Sequence, residues 1–282
     1  MRSWERAFRQ FYLDIKLWLF CLLLFQGHRI FFLLILSDYI AEDSSIGDII
    51  ATLLSGLRFD SAIATYMMLI PFIVITLPSF FFDLTGVVHR CRFIWGGIVV
   101  LLTSCLVIIS IEYYKEYRDV FNHFLFGLIY DDRAAIFKTI LATYRMLFLF
   151  YLCGMGALFF LYNTFGARWL EQSNAEKSHT LPTKILITFL ALIFLVVAGR
   201  GSIGHRPIQL KDAGVTLDPF LNKAELNPYT SLRYAIARHL AIAKDTGLNR
   251  YIDGDLKKAA QIYFPASNPW SFAKSPMRCH AR

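Results

Sequence analysis

Long apolar stretches separated by short polar ones run from residue 17 to residue 198, and the chain beyond them is much more polar. A bilayer core about 30 Å thick needs roughly twenty apolar residues of α-helix. Five stretches meet that need, the last two only just: Leu17–Leu36, Ser61–Phe82, Phe93–Ile111, Met146–Asn163 and Thr183–Ala198. This pattern predicts an all-α, polytopic membrane protein with about five transmembrane helices. Residues 1–198 form its transmembrane domain, and residues 199–282 form an extracytoplasmic helical linker.

The composition supports a membrane protein. Only 18% of the residues are charged and 56% are hydrophobic, whereas soluble domains average about 25% charged residues. The first apolar stretch follows four basic residues, as the apolar part of a signal peptide would: Arg2, Arg6, Arg9 and Lys16. It is too long for a signal peptide and lacks a small-residue cleavage site, so we expect an uncleaved first span.

The formal net charge of +8 does not indicate nucleic-acid binding. A nucleic-acid surface gathers Lys and Arg in one stripe with stacking aromatics, whereas here the basic residues are scattered over the loops. We expect them to orient the spans and to contact the bilayer and its anionic phospholipid headgroups. The five cysteines have neither the spacing of a metal site nor that of a disulfide framework.

Charge in the loops predicts the orientation of the spans, because positively charged loops stay cytoplasmic. The N-terminus, the second loop with Arg90 and Arg92, and the fourth loop with Lys177 are basic, whereas the first loop is acidic. The third loop is mixed and argues weakly against this alternation. The chain is therefore predicted to lie in the cell (inner) membrane, with its N-terminus cytoplasmic and its C-terminal segment extracytoplasmic.

Two features interrupt the apolar spans. Gln26, His28 and Arg29 fall near mid-membrane in the first span, where a charge is costly enough to indicate a function. The alternative is structural, with Arg29 paired to an acid inside the bundle or extended toward the interface. Pro71 is expected to kink the second span.

The third span continues into a polar stretch with an amphipathic pattern. Its apolar residues recur at helical spacing and predict a helix at the outer interface near 112–128: Tyr114, Tyr117, Phe121, Phe124 and Leu128. An ordinary interfacial helix needs no ligand. Alternatively, polar residues on its other faces receive a lipid headgroup or a partner domain: Glu112, Glu116, Arg118 and Asn122.

The exit from the fifth span, residues 199–204, matches G-x-G-x-x-G only formally. A dinucleotide site of that kind follows a strand and opens a helix, whereas this one follows a membrane span. We expect a flexible exit that brings Arg200 and Arg206 near phosphate headgroups. Further on, Asn227 and Pro228 predict the start of another helix, because Asn caps helices and Pro favours their first turn.

Several different short motifs lie in, or next to, the parts of the chain predicted to be outside the membrane. They are Arg58-Phe59-Asp60 before the second span, Glu112–Arg118 and Phe121-Asn122 after the third, and Arg200–Pro207 leading to Leu226–Tyr229. Together they resemble the lipoteichoic acid synthase family, over nearly the whole chain to about Ala266.

That family belongs to the sulfatase and alkaline-phosphatase superfamily and places a five-span membrane domain before an extracytoplasmic catalytic domain. The resemblance implies a phosphoglycerol or phosphoethanolamine transferase, or a related hydrolase, acting on lipid headgroups or envelope glycans. It makes the catalytic domain a partner of the membrane part. It also implies a set of candidate residues for docking a headgroup or that domain: Arg58, Asp60, Glu112, Glu116, Arg118, Asn122, Arg200, His205 and Arg206.

The catalytic domain itself is not recognised in this sequence. It uses a nucleophilic Thr or Ser beside a divalent metal such as Mn or Mg, and after Ala198 only His205, His239, His280 and scattered acids remain. We therefore expect a truncated or frameshifted form that is not catalytic alone and holds no cofactor or metal of its own. The alternative functions are a membrane scaffold or regulator and a transporter.

The topology yields the first prediction. Reporter fusions should place Asp48 and Asp212 outside the membrane and Arg90 and Lys177 inside, because the basic loops stay cytoplasmic. Paired fusions to a periplasmically active and a cytoplasmically active reporter measure this at each position. A cytoplasmic Asp212 would contradict the five-span arrangement.

Overall fold

The computed structural model describes residues 2–82, 85–129, 138, 145–166 and 180–243. The regular elements within these ranges are all helical, which confirms the all-α class. The main helices are α1 (Arg2–Ile35), α2 (Ile46–Pro71), α3 (Thr85–Tyr117), α4 (Arg145–Leu161), α5 (Leu181–Arg200), α6 (Pro219–Ala224) and α7 (Pro228–Ala243). The chain divides into two compact units, 1–235 and 236–282, and the second is described only over 236–243.

Four helices among the described residues are long and apolar enough to cross a membrane: Trp4–Ile35, Ile46–Ser79, Arg90–Tyr117 and Leu181–Arg200. They contain four of the five predicted spans and confirm the polytopic membrane class. The stretch predicted as the fourth span falls on Leu149–Phe165, a shorter apolar helix. Its crossing of the membrane stays a prediction.

The second spanning helix begins and changes its winding for identifiable reasons. Ser45 and Asp48 form a capping box, in which each side chain accepts a hydrogen bond from the other's backbone N–H. Pro71 has no N–H to donate and cannot continue a regular α-helix. The helix passes there into a π-helical turn, Phe72–Thr76, before a last α-helical turn, Leu77–Ser79. The irregularity expected at Pro71 is therefore a local change of winding.

The apolar core lies around α1, which packs against α2, α3 and α5. Its members are buried side chains that face one another across these helices, among them Leu17, Cys21, Phe25, Ala64, Met68, Val99, Val100 and Leu195. Helix α4 packs on α3 at Gly96, where an added Cβ would lie 2.2 Å from the hydroxyl of Tyr162. Such small residues let membrane helices approach closely.

A buried ion pair ties α1 to α3 near the start of α1. A guanidinium nitrogen of Arg92 lies 2.7 Å from Oδ1 of Asp14, and both side chains are at most 4% exposed. Arg92 also donates to Oε1 of Gln10 (2.8 Å), and the hydroxyl of Thr76 donates to Asp14. The prediction of Arg92 as a loop residue was wrong, because α3 begins at Thr85 and carries Arg92 within the bundle.

The amphipathic helix predicted near 112–128 is two elements in the structure. Helix α3 continues to Tyr117 and ends at Arg118, whose φ of 53° is left-handed and unusual for a residue with a side chain. A bend follows, and His123–Ile129 then forms a separate 3₁₀-helix. The predicted helical periodicity continued through Arg118, but the helical backbone ends there.

Gly201 ends α5 and turns the chain back toward the bundle. Its φ is 62°, and its amide donates to the carbonyls of Val197 (3.1 Å) and Ala198 (3.0 Å), as in left-handed helix caps. A Cβ at this position would lie 2.7 Å from Cγ2 of Ile208 and 2.8 Å from the carbonyl oxygen of Arg58. The glycine-rich stretch therefore ends a helix, whereas the glycines of a dinucleotide site follow a strand and open a helix.

This cap yields the second prediction. Gly201→Ala should lower the apparent melting temperature, because the left-handed backbone costs about 1–2 kcal/mol with a Cβ and the new atom collides with Arg58 and Ile208. Tryptophan fluorescence in detergent measures the change. Gly214→Ala is the matched control, since its Cβ would meet nothing within 4 Å. Equal melting of the two variants would contradict the role of the cap.

Candidate functional site at the distal end of the bundle

A buried polar cluster joins α1, α2 and the segment that follows α5. It lies at the distal end of the bundle, where α1 and α3 finish, and its centre is an ion pair between Arg29 and Asp60. Nη1 of Arg29 donates to Oδ2 of Asp60 (2.6 Å), and Nη2 donates to Oδ1 (2.8 Å). This two-point contact matches the planar guanidinium to the carboxylate. Both side chains are at most 3% exposed.

Two amides complete the surroundings of Asp60. Gln26 Nε2 donates to Oδ2 (2.8 Å) from α1, and Asn227 Nδ2 donates to Oδ1 (3.0 Å) from the start of α7. With the two bonds from Arg29, the carboxylate accepts four hydrogen bonds, which is about its full capacity. Asp60 is thus held from both α1 and the C-terminal segment.

Arg29 reaches beyond Asp60 to the backbone of the C-terminal segment. Its Nε donates to the carbonyl of Ala224 (3.0 Å), and Nη2 donates to the carbonyl of Glu225 (2.9 Å). These carbonyls stand at the C-terminal end of α6, where a positive charge is favoured. Gly56 makes room for the guanidinium, because a Cβ there would lie 2.3 Å from Cζ of Arg29.

Glu225 forms a second link between α2 and the C-terminal segment. Its Oε2 accepts a hydrogen bond from the hydroxyl of Ser55 (2.6 Å), and its Oε1 accepts one from the amide of Val215 (3.2 Å). Burial raises the pKa of the Glu225 carboxyl, and these hydrogen bonds oppose that change. The side chain therefore serves as an acceptor that closes the loop before α6.

Asp218 fastens the loop after α1 to the start of α6. Its Oδ1 accepts from the amide of Phe220 (2.7 Å), while Oδ2 accepts from the amide of Ala41 (2.9 Å) and the hydroxyl of Ser44 (2.8 Å). Burial opposes ionisation of Asp218, but these hydrogen bonds outweigh it and hold the pKa of the carboxyl below its ordinary value. An ionised Asp218 is thus the N-cap of α6.

The helix start predicted at Asn227 and Pro228 is confirmed. Helix α7 begins at Pro228, and Oδ1 of Asn227 accepts a hydrogen bond from the amide of Thr230 (2.8 Å). At the second residue of this helix, the hydroxyl of Tyr229 lies 3.0 Å from that of Thr103 on α3. Asn227 therefore caps α7 with its oxygen while its nitrogen binds Asp60.

The arrangement is suited to holding elements together. Every charge in the cluster is paired or hydrogen-bonded, and a buried pair that loses one partner costs about 3–5 kcal/mol. The structural interpretation of Arg29, pairing with an acid, is confirmed. Gln26 and Arg29 bind Asp60 instead of lining a water-filled path, and the cavity beside Arg29 has a volume of about 20 Å³, which suits about one water molecule.

The other motif residues predicted for docking gather at the same end of the bundle. Nε of Arg58 donates to the carbonyl of Gly201 (3.2 Å), and Oδ1 of Asn122 accepts from the hydroxyl of Tyr113 (2.6 Å). Nζ of Lys223 donates to the carbonyl of Arg118 (2.7 Å) and lies 3.2 Å from Asp119. The structure thus brings together the segments that carried the family resemblance.

Within this group, the candidates divide by exposure. Asp60 is fully buried and its oxygens are occupied, so it holds the cluster rather than facing a headgroup. Glu112 and Asn122 are half-buried in contacts with neighbouring residues. The exposed candidates are Arg58, Glu116, Arg118, Arg200, His205 and Arg206.

Two exposed arginines have defined partners. The guanidinium of Arg118 lies over the ring of Tyr39, 4.0 Å from its centre, a cation–π contact. Arg206 lies 2.9 Å from Asp212, and its side chain remains 50% exposed. Exposed ion pairs of this kind contribute little to stability, so Arg206 is available to an anionic group.

Sequence reasoning missed Asp14 and Glu225. Asp14 lies three residues before the predicted first span and so did not stand out as an acid inside the membrane, and Glu225 lies in a polar segment where acids are common. No three His, Cys, Asp or Glu side chains among the described residues are placed to hold a metal ion. The Mn or Mg that the resemblance implies belongs to the catalytic domain, and its presence there stays a prediction.

Comparisons of the chain with protein-family models, with curated proteins and with solved structures found no match. Function is therefore inferred from the geometry of the distal end and from the resemblance of its motifs.

The cluster yields the third prediction. Gly56→Ala should destabilise the fold by about 3–5 kcal/mol, because its Cβ displaces the Arg29 guanidinium from Asp60. Thermal unfolding in detergent should show a lower apparent melting temperature.

Gly27→Ala is the matched control on α1, since its Cβ would meet nothing within 4 Å, and alanine favours a helix over glycine. It should melt at or above the wild-type temperature. If Gly56→Ala also retained the wild-type temperature, the ion pair would not be what stabilises the distal end.

Proposed function

We propose that this chain is the membrane-anchoring part of an envelope phosphoglycerol or phosphoethanolamine transferase, or a related hydrolase, of the sulfatase superfamily. It lies in the cell membrane with the distal end of the bundle on the extracytoplasmic side. This membrane part anchors and positions an extracytoplasmic catalytic domain. That domain carries the divalent metal and performs the chemistry.

The observation that carries the proposal is the attachment of the segment after α5 to the bundle. In a simple tether, the segment after the last span would make no specific contacts with the bundle. Here Arg29 and Asp60 hold that segment at Ala224, Glu225 and Asn227 through buried hydrogen bonds. A catalytic domain joined to or seated on this platform would keep a defined height and orientation above the membrane. Positioning of this kind favours reaction with a substrate that is itself fixed in the membrane.

A second observation supports a headgroup substrate. The distal end presents exposed cationic side chains at the membrane surface, including Arg118, Arg200 and Arg206. Basic residues near a membrane surface attract anionic lipids, at about 1 kcal/mol for each Lys or Arg. Phosphate-bearing headgroups would therefore concentrate where the proposed catalytic domain acts.

The fourth prediction tests this function. Deletion of the gene in its native host should reduce the phosphoglycerol or phosphoethanolamine content of envelope lipids or glycans, and the wild-type gene should restore it. Mass spectrometry of extracted envelope material measures the change. Arg206→Ala should restore only part of the content, because it removes an exposed cation from the docking edge.

Arg233→Ala is the control with the same change of charge, since Arg233 is exposed on α7 outside the motif residues. It should restore the full content at equal membrane abundance. An unchanged envelope after deletion would contradict the proposal and favour a membrane scaffold or regulator. Equal restoration by both arginine variants would remove the docking role of Arg206 alone.

A further inference from the structure

A groove of about 520 Å³ opens on the side of the bundle between α1, α3 and α4. Its size falls within the range of about 300–1,000 Å³ that is usual for small-molecule sites. The walls are mostly apolar and include Phe31, Val107 and Met155. Helices α1 and α3 are long and apolar enough to cross a membrane, and α4 is a shorter apolar helix, so we expect the groove to face the hydrocarbon region of a bilayer.

Two glycines on opposite walls create the space. Gly27 on α1 and Gly154 on α4 both line the groove, and a Cβ at either position would meet nothing within 4 Å. A larger side chain at these positions would have filled the space between the helices. The groove is therefore a consequence of the residues at these two positions.

The polar groups at its floor are already satisfied. Nδ1 of His28 lies 2.8 Å from the carbonyl of Leu24, and Nε2 lies 3.2 Å from the hydroxyl of Ser104. Ser104 also donates to the carbonyl of Val100 (2.8 Å). Because these groups bind one another, the floor does not demand a polar ligand.

Further polar side chains lie at the distal mouth of the groove. Tyr151, one of its lining residues, donates a hydrogen bond to Glu112 (2.7 Å), and Glu112 pairs with Lys115 (2.9 Å). Glu112 follows Ser104 and Ile108 at four-residue intervals on α3, so it continues the same helix face. Apart from the paired His28 and Ser104, the described lining is apolar along its length and meets ionised groups at the distal end, an arrangement that matches an acyl chain joined to a headgroup.

We propose that this groove holds an acyl chain of a glycerophospholipid, with the headgroup beside Lys115 and Glu112. An empty groove would forfeit dispersion contacts along its walls, and acyl chains are the apolar molecules present at that depth. The proposal stands independently of the proposed enzymatic function.

The dimensions favour a chain over a helix from a second copy. The groove extends from Leu23 to Phe31 on α1, about 12 Å at the helical rise. A partner helix about 10 Å wide would pack along much of the roughly 30 Å core. A flexible chain that enters from the mouth fits the short slot.

The fifth prediction uses the full chain reconstituted in phosphatidylcholine vesicles that contain a small fraction of phosphatidylethanolamine with a diazirine near the chain end. Light should attach the probe to groove residues such as Leu23 and Met155, as located by peptide mass spectrometry. Gly154→Leu should remove most of that labelling, because the new side chain occupies the groove. Gly27→Leu, from the opposite wall, should do the same.

Gly156→Leu is the matched control, because Gly156 lies on the same helix, does not line the groove and has equally open space around it. It should keep wild-type labelling. A second probe built on phosphatidylglycerol should label the same residues, since the chain is what the groove holds. Size-exclusion chromatography verifies that each variant is folded before labelling.

Three results would overturn the proposal. Labelling spread evenly over the lipid-facing helices would show that the groove holds no chain preferentially. Groove labelling that survives both Gly154→Leu and Gly27→Leu in folded protein would do so as well. A disulfide between two copies of the Leu158→Cys variant, in place of lipid labelling, would assign the groove to a second chain.

Discussion

The contact between Arg29 and Asp60 is the interaction on which the distal half of the structure depends. A charged group inside a membrane protein is expensive unless it is paired and hydrogen-bonded, and this pair uses nearly all its donors and acceptors. Because the partners come from α1, α2 and the C-terminal segment, the need to satisfy two charges fixes three parts of the chain at once. Apolar packing alone would not specify that arrangement, since lipid competes equally for apolar surfaces.

A second buried pair, Asp14 with Arg92, acts at the opposite end of α1. Positions 14 and 29 are about 22 Å apart along a helix, and each charge binds a different neighbour. The two pairs therefore fix both the height and the rotation of α1 relative to α2 and α3. Between them lies the apolar core around Leu17 and Cys21, both of which are fully buried.

Hydropathy predicted the membrane class and most of the spans because long apolar stretches have few other stable forms. Local pattern could not place Arg92, whose partner lies 78 positions away. It could not show the break at Arg118 either, because neither Gly nor Pro marks that position in the sequence. Where a local rule has a direct physical cause, as at Asn227 and Pro228, prediction and structure agree.

For the candidate site, the sequence pointed to Arg29 as a costly charge and to Asp60 through a family motif, but it did not join them. Their pairing depends on the crossing of α1 and α2, which one-dimensional periodicity does not contain. The same holds for Glu225, whose carboxylate accepts a hydrogen bond from Ser55 of α2. The long-range polar contacts of the site therefore could not be predicted from the sequence and became visible only in the structure.

The cluster at Arg29 also bears on how the protein is made. Arg29 is synthesised before Asp60, which follows 31 positions later, so the pair can close as soon as α1 and α2 form a hairpin. Its remaining donors meet the carbonyls of Ala224 and Glu225 only after the segment that follows α5 has been produced. A nascent chain thus carries an incompletely satisfied charge in its first helix until residue 225 arrives. Arrival of the segment after α5 is therefore registered in the membrane by the closure of that last contact.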